Sequence, residues 1–178
     1  IILIGYKMIN KKVLSETALF FGELKMPKGY EIETGLLVKN IALSHYYDDV
    51  EYVFSKAWDK INTFITDFMR VEHKINIQSK DYYGSFYERN QISEPQFHLN
   101  FSSLKDSPDF VCLYGVEIDS DSCNIIINYD DNRRKNLRHQ IKLKTNEFII
   151  LPSSMSYYIK NENNSYLNFI QSILYTKV

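Results

Sequence analysis

Asp109-Phe110-Val111-Cys112-Leu113-Tyr114-Gly115-Val116-Glu117-Ile118 is the stretch whose reading decides the fold. Successive side chains of an extended chain point to opposite faces. Phe110, Cys112, Tyr114, Val116 and Ile118 therefore share one face, and Val111 and Leu113 the other. Both faces are apolar, whereas a strand with one wet face alternates apolar with polar residues. Such a strand belongs in a sheet that looks into a sandwich on one side and lies under a helix on the other.

That helix is legible upstream. Val50, Val53, Phe54, Ala57, Trp58, Ile61, Phe64, Ile65, Phe68 and Met69 recur at spacings of three and four, the period of one amphipathic helix. Asp48 as N-cap with Glu51 three positions on suits the positive end of the helix dipole, which places the helix at about residues 49–71. Its aromatic stripe, with Trp58 in the middle, is read as the face that packs on the sheet. Earlier, Leu19 to Phe21 and Leu36 to Val38 flank the turn signal Met26-Pro27-Lys28-Gly29 and read as one or two short strands.

Downstream of His73 come short apolar or period-two runs: Ile75–Gln78, Tyr82–Glu88, Gln96–Phe101, Asp109–Ile118, Cys123–Tyr129, Leu137–Leu143, Glu147–Leu151, Ser156–Lys160 and Tyr166–Tyr175. Turn-forming residues fill the gaps, and strands at such regular intervals argue for a sandwich or barrel. The expected class is mainly β with one long helix, α+β, in a single domain over 1–178. About 1–74 supply the lead-in strands and bracing helix, and about 75–178 the core.

With 178 residues, 44% of them hydrophobic and 24% charged, the chain has the material for one folded domain. Lys plus Arg at 21 against Asp plus Glu at 22 gives a net charge of -1. No global field then draws it to nucleic acid or an anionic membrane, so neither is expected as a partner. No apolar run approaches the roughly 20 residues of a membrane span, and Ile1-Ile2-Leu3-Ile4 is too short for a secretory core. The expected location is cytoplasmic, or the host cytoplasm if the source is viral.

Two cysteines suit a reducing compartment. A hairpin closing at Asp119-Ser120-Asp121-Ser122 sets Cys112 opposite about Tyr129 rather than Cys123, so both thiols are expected to be free.

Chemistry-bearing residues are few. His45 and His73 read as structural. Arg133, Arg134, Lys135, Arg138 and His139 read as a solvated basic loop, having no interleaved aromatics for base stacking. Glu117, Asp119 and Asp121 read as an exposed hairpin turn. His98 stands apart: in Gln96-Phe97-His98-Leu99-Asn100-Phe101, alternation places Phe97, Leu99 and Phe101 on a packed face and Gln96, His98 and Asn100 on the other. A His-x-carboxylate pair on one strand begins the two-His-one-carboxylate iron triad; here the second position is an amide.

The order of these elements resembles the Fe(II) and 2-oxoglutarate dependent oxygenases, nearest the small prolyl-hydroxylase-like type common in phage and marine bacterial genomes. The resemblance covers about residues 82–176, and its most specific piece is Glu147 to Tyr158, in which Phe148-Ile149-Ile150-Leu151-Pro152-Ser153 matches the family and Tyr157 stands where the family carries its distal histidine. It implies a double-stranded β-helix, a cupin-like jelly-roll sandwich. It puts the metal ligands at His98, Asn100 and Tyr157, two of the three substituted. The 2-oxoglutarate anchor would fall near Asn168, with Lys160 the nearest cation.

Two functions follow from the resemblance. One is a hydroxylase of a peptide or small molecule, with Fe(II) and 2-oxoglutarate as cofactors. The other, favoured by the substituted ligands, is a pseudoenzyme without cofactors, a binding or assembly module whose barrel mouth takes a small-molecule or peptide ligand.

Overall fold

A computed structural model describes residues 17–47, 55–119, 121–131, 133–162 and 167–178. The elements run β1 (Phe20–Glu23), α1 (Thr34–Tyr46), α2 (Lys56–His73), β2 (Ile77–Tyr87), β3 (Phe110–Glu117), β4 (Cys123–Tyr129), β5 (Leu137–Leu143), β6 (Glu147–Pro152), β7 (Ser156–Asn161) and β8 (Asn168–Lys177), with one short 3-10 turn at Leu104–Asp106. The strands form a five-stranded sheet, β1-β6-β3-β8-β2, and a three-stranded sheet, β5-β4-β7. All pairings are antiparallel. Among the described residues no helix is long and apolar enough to cross a membrane.

β3 lies inside the larger sheet and is buried on both faces. Phe110, Cys112, Tyr114 and Val116 join the core under the helices, and Val111 and Leu113 join the core between the sheets. Ile118 leaves the first face and packs against the second core, because the β3–β8 register shifts between Gly115 and Glu117. Gly115 is required at this point: a Cβ there would lie 2.2 Å from the Lys144 carbonyl oxygen.

α2 supplies the expected stripe. Trp58, Ile61, Ile65 and Met69 are buried, with Phe64 and Phe68 packed against them. Its observed N-cap is Ser55, whose hydroxyl accepts from the Trp58 amide at 3.2 Å. Lys74, in the left-handed region at φ 59°, ends it. The expected start at Asp48 and Glu51, like the contacts of Val50, Val53 and Phe54, lies outside the described residues.

Three expectations are corrected. Leu36–Val38 is not a strand but part of α1, which makes two helices; a three-residue apolar run carries no period, and α1 is fixed by burying Leu37 and Ile41, one turn apart, over the sheet. The runs expected at Ile75–Gln78 and Tyr82–Glu88 merge into one strand, β2, over Ile77–Tyr87, interrupted by a register shift between Ser79 and Asp81 that absorbs the polar break. β3 and β4 form no hairpin, since they lie in different sheets. Cys112 is therefore in the helix-side core and Cys123 in the inter-sheet core, and both are buried free thiols.

Candidate functional site

The polar residues inside the sandwich gather at its two ends, around His98 at one and Asn168 at the other. On β2 the period of two turns Tyr83, Ser85 and Tyr87 inward while Tyr82 and Phe86 face the helices. On β7 it turns Tyr157, Ile159 and Asn161 inward. Between them runs a strap, residues 88–103, held to β7 by Ser93 N–Ile159 O at 2.8 Å and by a mutual pair in which Gln96 N donates to Tyr157 O at 2.7 Å and Tyr157 N to Gln96 O at 3.1 Å. The run expected as a strand at Gln96–Phe101 is thus reduced to a single bridge at Gln96, with another upstream at Ile92. Pro95 has no N–H to extend the ladder.

The strap also reverses the expected faces. Phe97 is 39% and Phe101 78% exposed, stacked on each other at 5.2 Å, while Gln96 and His98 turn into the sandwich. There His98 Nε2 lies 3.1 Å from the Tyr157 hydroxyl and 3.4 Å from that of Tyr83. Gln96 Oε1 accepts from Tyr157 at 2.8 Å and from Tyr83 at 3.3 Å, and Gln96 Nε2 donates to the Tyr87 hydroxyl at 3.2 Å.

Burial sets the protonation of this cluster. Desolvation raises the Tyr157 phenol well above its ordinary value and raises Tyr83 and Tyr87 as well, and it lowers His98. All four are neutral near pH 7.

The sequence-assigned residues separate. His98 and Tyr157 meet. Asn100 sits where the strap curls away: its Oδ1 accepts from the amides of Ser102 at 3.0 Å and Ser103 at 3.3 Å, and its own amide donates to Ser107 Oγ. Lys160 alternates to the outer face of β7 and pairs with Glu162 at 2.5 Å. Asn168 is fully buried and bonded on both ends of its amide, donating to Ser122 Oγ and Asn161 Oδ1 at 2.8 Å each and accepting from Asp119 N at 2.9 Å. Asn161 is four residues along β7 from Tyr157, so the Asn168 network lies about 13 Å down the strand from His98.

Tyr83 and Tyr87 were missed. Their spacing on one face was visible, yet an inward phenol pair looks like ordinary core until the strap brings an imidazole against it. His139, grouped by sequence with the basic loop but also inside the expected Leu137–Leu143 strand, lies on β5 opposite Ile127 and lines a cavity of about 470 Å³ with Leu19, Phe21, Tyr129 and Met155.

At the level of sequence no family model and no curated relative matches the chain. Its fold does match solved structures. A prolyl-4-hydroxylase of Pseudomonas putida superposes with a TM-score of 0.60 at 6% identity, over 90% of this chain and 86% of that one. SnoN, the non-heme alpha ketoglutarate dependent epimerase of nogalamycin biosynthesis, superposes with 0.60 at 8% identity, over 90% and 78%. HygX of Streptomyces hygroscopicus, with nickel and 2-oxoglutarate bound, superposes with 0.59 at 7% identity, over 90% and 82%. The chain thus shares the fold of the 2-oxoglutarate and iron dependent oxygenases, as its sequence resemblance implies.

The residues gathered around His98 and Tyr157 do not fit ferrous iron with 2-oxoglutarate. They offer one neutral imidazole, phenols and an amide, without a carboxylate or a second imidazole. Among the described residues no three His, Cys, Asp or Glu side chains converge. Asn168 brings no charge for a carboxylate to pair with.

Proposed function

We propose that the chain is a jelly-roll, double-stranded β-helix protein of the oxygenase type that has given up hydroxylation and serves as a binding module. The observation that carries this reading is Tyr157: where the sequence resemblance would put the distal histidine, this chain has a buried neutral phenol, hydrogen-bonded to His98 and Gln96. The bonded amide of Asn168 supports it, since a buried amide already holding three hydrogen bonds is not free to receive a dicarboxylate.

Binding has a place to occur. The cavity beside β4 and β5 has an apolar wall of Leu19, Phe21, Ile127 and Met155, with Asp130, Asp131 and His139 at its rim. Its volume, about 470 Å³, lies within the range of small-molecule sites. It opens at the same end of the sandwich as Tyr157, because Ile127 pairs with both Tyr157 and His139 across the smaller sheet. A small molecule or the side chain of a bound peptide is the ligand this mouth suits.

The test is oxygen-dependent conversion of 2-oxoglutarate to succinate, with Fe(II) and ascorbate supplied. The wild-type chain is expected to form no succinate above the protein-free control. Sustained succinate formation by wild-type protein overturns the reading in favour of a hydroxylase.

A further inference from the structure

β5 is the outermost strand of the smaller sheet, and among the described residues no backbone bond reaches its free edge. The covered interior runs out at the same place. On β4, Ile125 and Ile127 are buried, whereas their partners on β5 are not: Ile141 is half-buried and His139 exposed. Across the gap, Phe21 on β1, the edge strand of the larger sheet, is 62% exposed although it faces the same interior as its buried partner Ile149. His139 and Phe21 are also walls of the cavity of about 470 Å³. An unpaired sheet edge thus lies beside an unfilled interior.

We infer that β5 takes an extended acidic peptide as an added strand of the smaller sheet, an inference that rests on the reading of this cavity as a binding site. In such pairing the main-chain bonds supply affinity and the alternate side chains supply selection. The peptide residue opposite His139 points inward and caps the cavity between His139 and Phe21, and the one opposite Ile141 covers the half-buried apolar face. The residues opposite Arg138 and Lys142 point outward, onto exposed cations. The segment that fits therefore reads acidic, apolar, polar, apolar, acidic, an order that is the same in either chain direction.

Charge decides the occupant. Arg133, Arg134, Lys135, Arg138, Lys142 and Lys144 lie on β5 or beside its ends. The three arginines enter no ion pair among the described residues, whereas Lys135 pairs with Asp130 at 3.0 Å and Lys144 with Asp121 at 3.0 Å, which stands 3.9 Å from Lys142. Asp131 accepts from the backbone amides of Arg133 and Arg134. These cations outnumber the three carboxylates, and the local field draws an acidic segment. A second copy is disfavoured: antiparallel pairing of β5 with itself about its central residue, Gln140, sets Arg138 opposite Lys142 twice, and like charges directly opposite destabilise a sheet. Basic residues on an edge keep its own kind away, and the same charges admit a strand of opposite sign.

A fluorescent peptide amide of sequence Thr-Glu-Leu-Thr-Leu-Glu-Thr, titrated with the full chain and read by anisotropy, tests the edge. Wild-type protein is expected to bind it saturably, and at least tenfold more weakly when both glutamates become lysine or when the order is scrambled to make the glutamates adjacent. Arg138→Glu combined with Lys142→Glu is expected to invert the preference and bind the lysine peptide at least tenfold better than the glutamate one, a gain that a misfolded variant cannot imitate. Methylating the amide nitrogens of one alternate set of peptide residues is expected to abolish binding, and methylating the other set to spare it, since one set faces β5 and the other solvent. Equal binding of the scrambled peptide, or an equal effect of the two methylation patterns, shows attraction by charge alone and overturns the proposal. So does a wild-type chain that binds no peptide, whether it sediments as a monomer or as a dimer that gives the edge to a second copy. Absence of peptide binding leaves the non-catalytic reading standing, and succinate formation overturns that reading whatever the peptide does.

Discussion

The two cores of this molecule treat their polar groups differently. Under the helices the core is aliphatic and aromatic, and its buried phenols each hand a hydroxyl to one amide at the rim: Tyr114 to Asn146 at 2.6 Å and Tyr175 to Asn62 at 2.9 Å. Between the sheets only the middle is apolar. At one end the polar side chains bond to one another around His98, and at the other around Asn168. A core that exists to hold the fold keeps its polar atoms apart and at the edge. Convergent polar groups inside a sandwich raise the cost of any unmet partner, and their concentration at the mouth is the mark of a site.

The difference can be broken at its strongest point first. Trp58, buried against Tyr82 at 4.7 Å, belongs to the purely structural core. Trp58→Ala is expected to destabilise by roughly 3–5 kcal/mol; a loss below about 1 kcal/mol in denaturant melts would remove α2 from the role given to it.

Tyr157→Phe is the matching change between the sheets. It keeps the ring and removes the hydroxyl that both His98 and Gln96 use, which is expected to cost about 1–3 kcal/mol. Combined with Trp58→Ala the losses are expected to add to within about 0.5 kcal/mol, because the two residues lie in separate cores with no shared partner. Strong coupling between them would show that the cores are not independent.

The third effect is smaller and depends on pH. Burial lowers His98 below its ordinary 6.5, so the unfolded chain takes up this proton at a higher pH than the folded one does. Its contribution is fully present above about 6.5 and is lost as pH falls from there toward the folded value. His98→Gln is expected to flatten stability against pH in that window, and an unchanged slope would remove His98 as its source. The smallest effect is an absence of reaction. Burial pushes Cys123 up to about 12 and raises Cys112 further, so a thiol reagent at pH 8 is expected to label neither in the native protein and both after denaturation.

Within the site, the sequence pointed to His98 and Tyr157 and grouped Gln96 with His98 on one face. It could not show that Asn100 leaves that face, since the curl at Ser102 and Ser103 depends on side chain to backbone bonds that alternation does not encode. Nor could it show that Lys160 points outward, because that follows from the register of β7 against β4.

Local periodicity is a property of a short segment, and by itself it determined the doubly buried face pattern of Phe110 to Val116, the stripe of α2, and the bounds of Cys123–Tyr129 and Leu137–Leu143. Tertiary structure alone decided that β3 pairs with β6 and β8 instead of β4, that Leu36–Val38 is helical, and that Tyr83, from 74 positions earlier, shares the acceptor Gln96 with Tyr157. Alternation says which way a side chain points within its strand. Which strands then meet is settled by burying both faces of one sheet at once, a condition that no single segment contains.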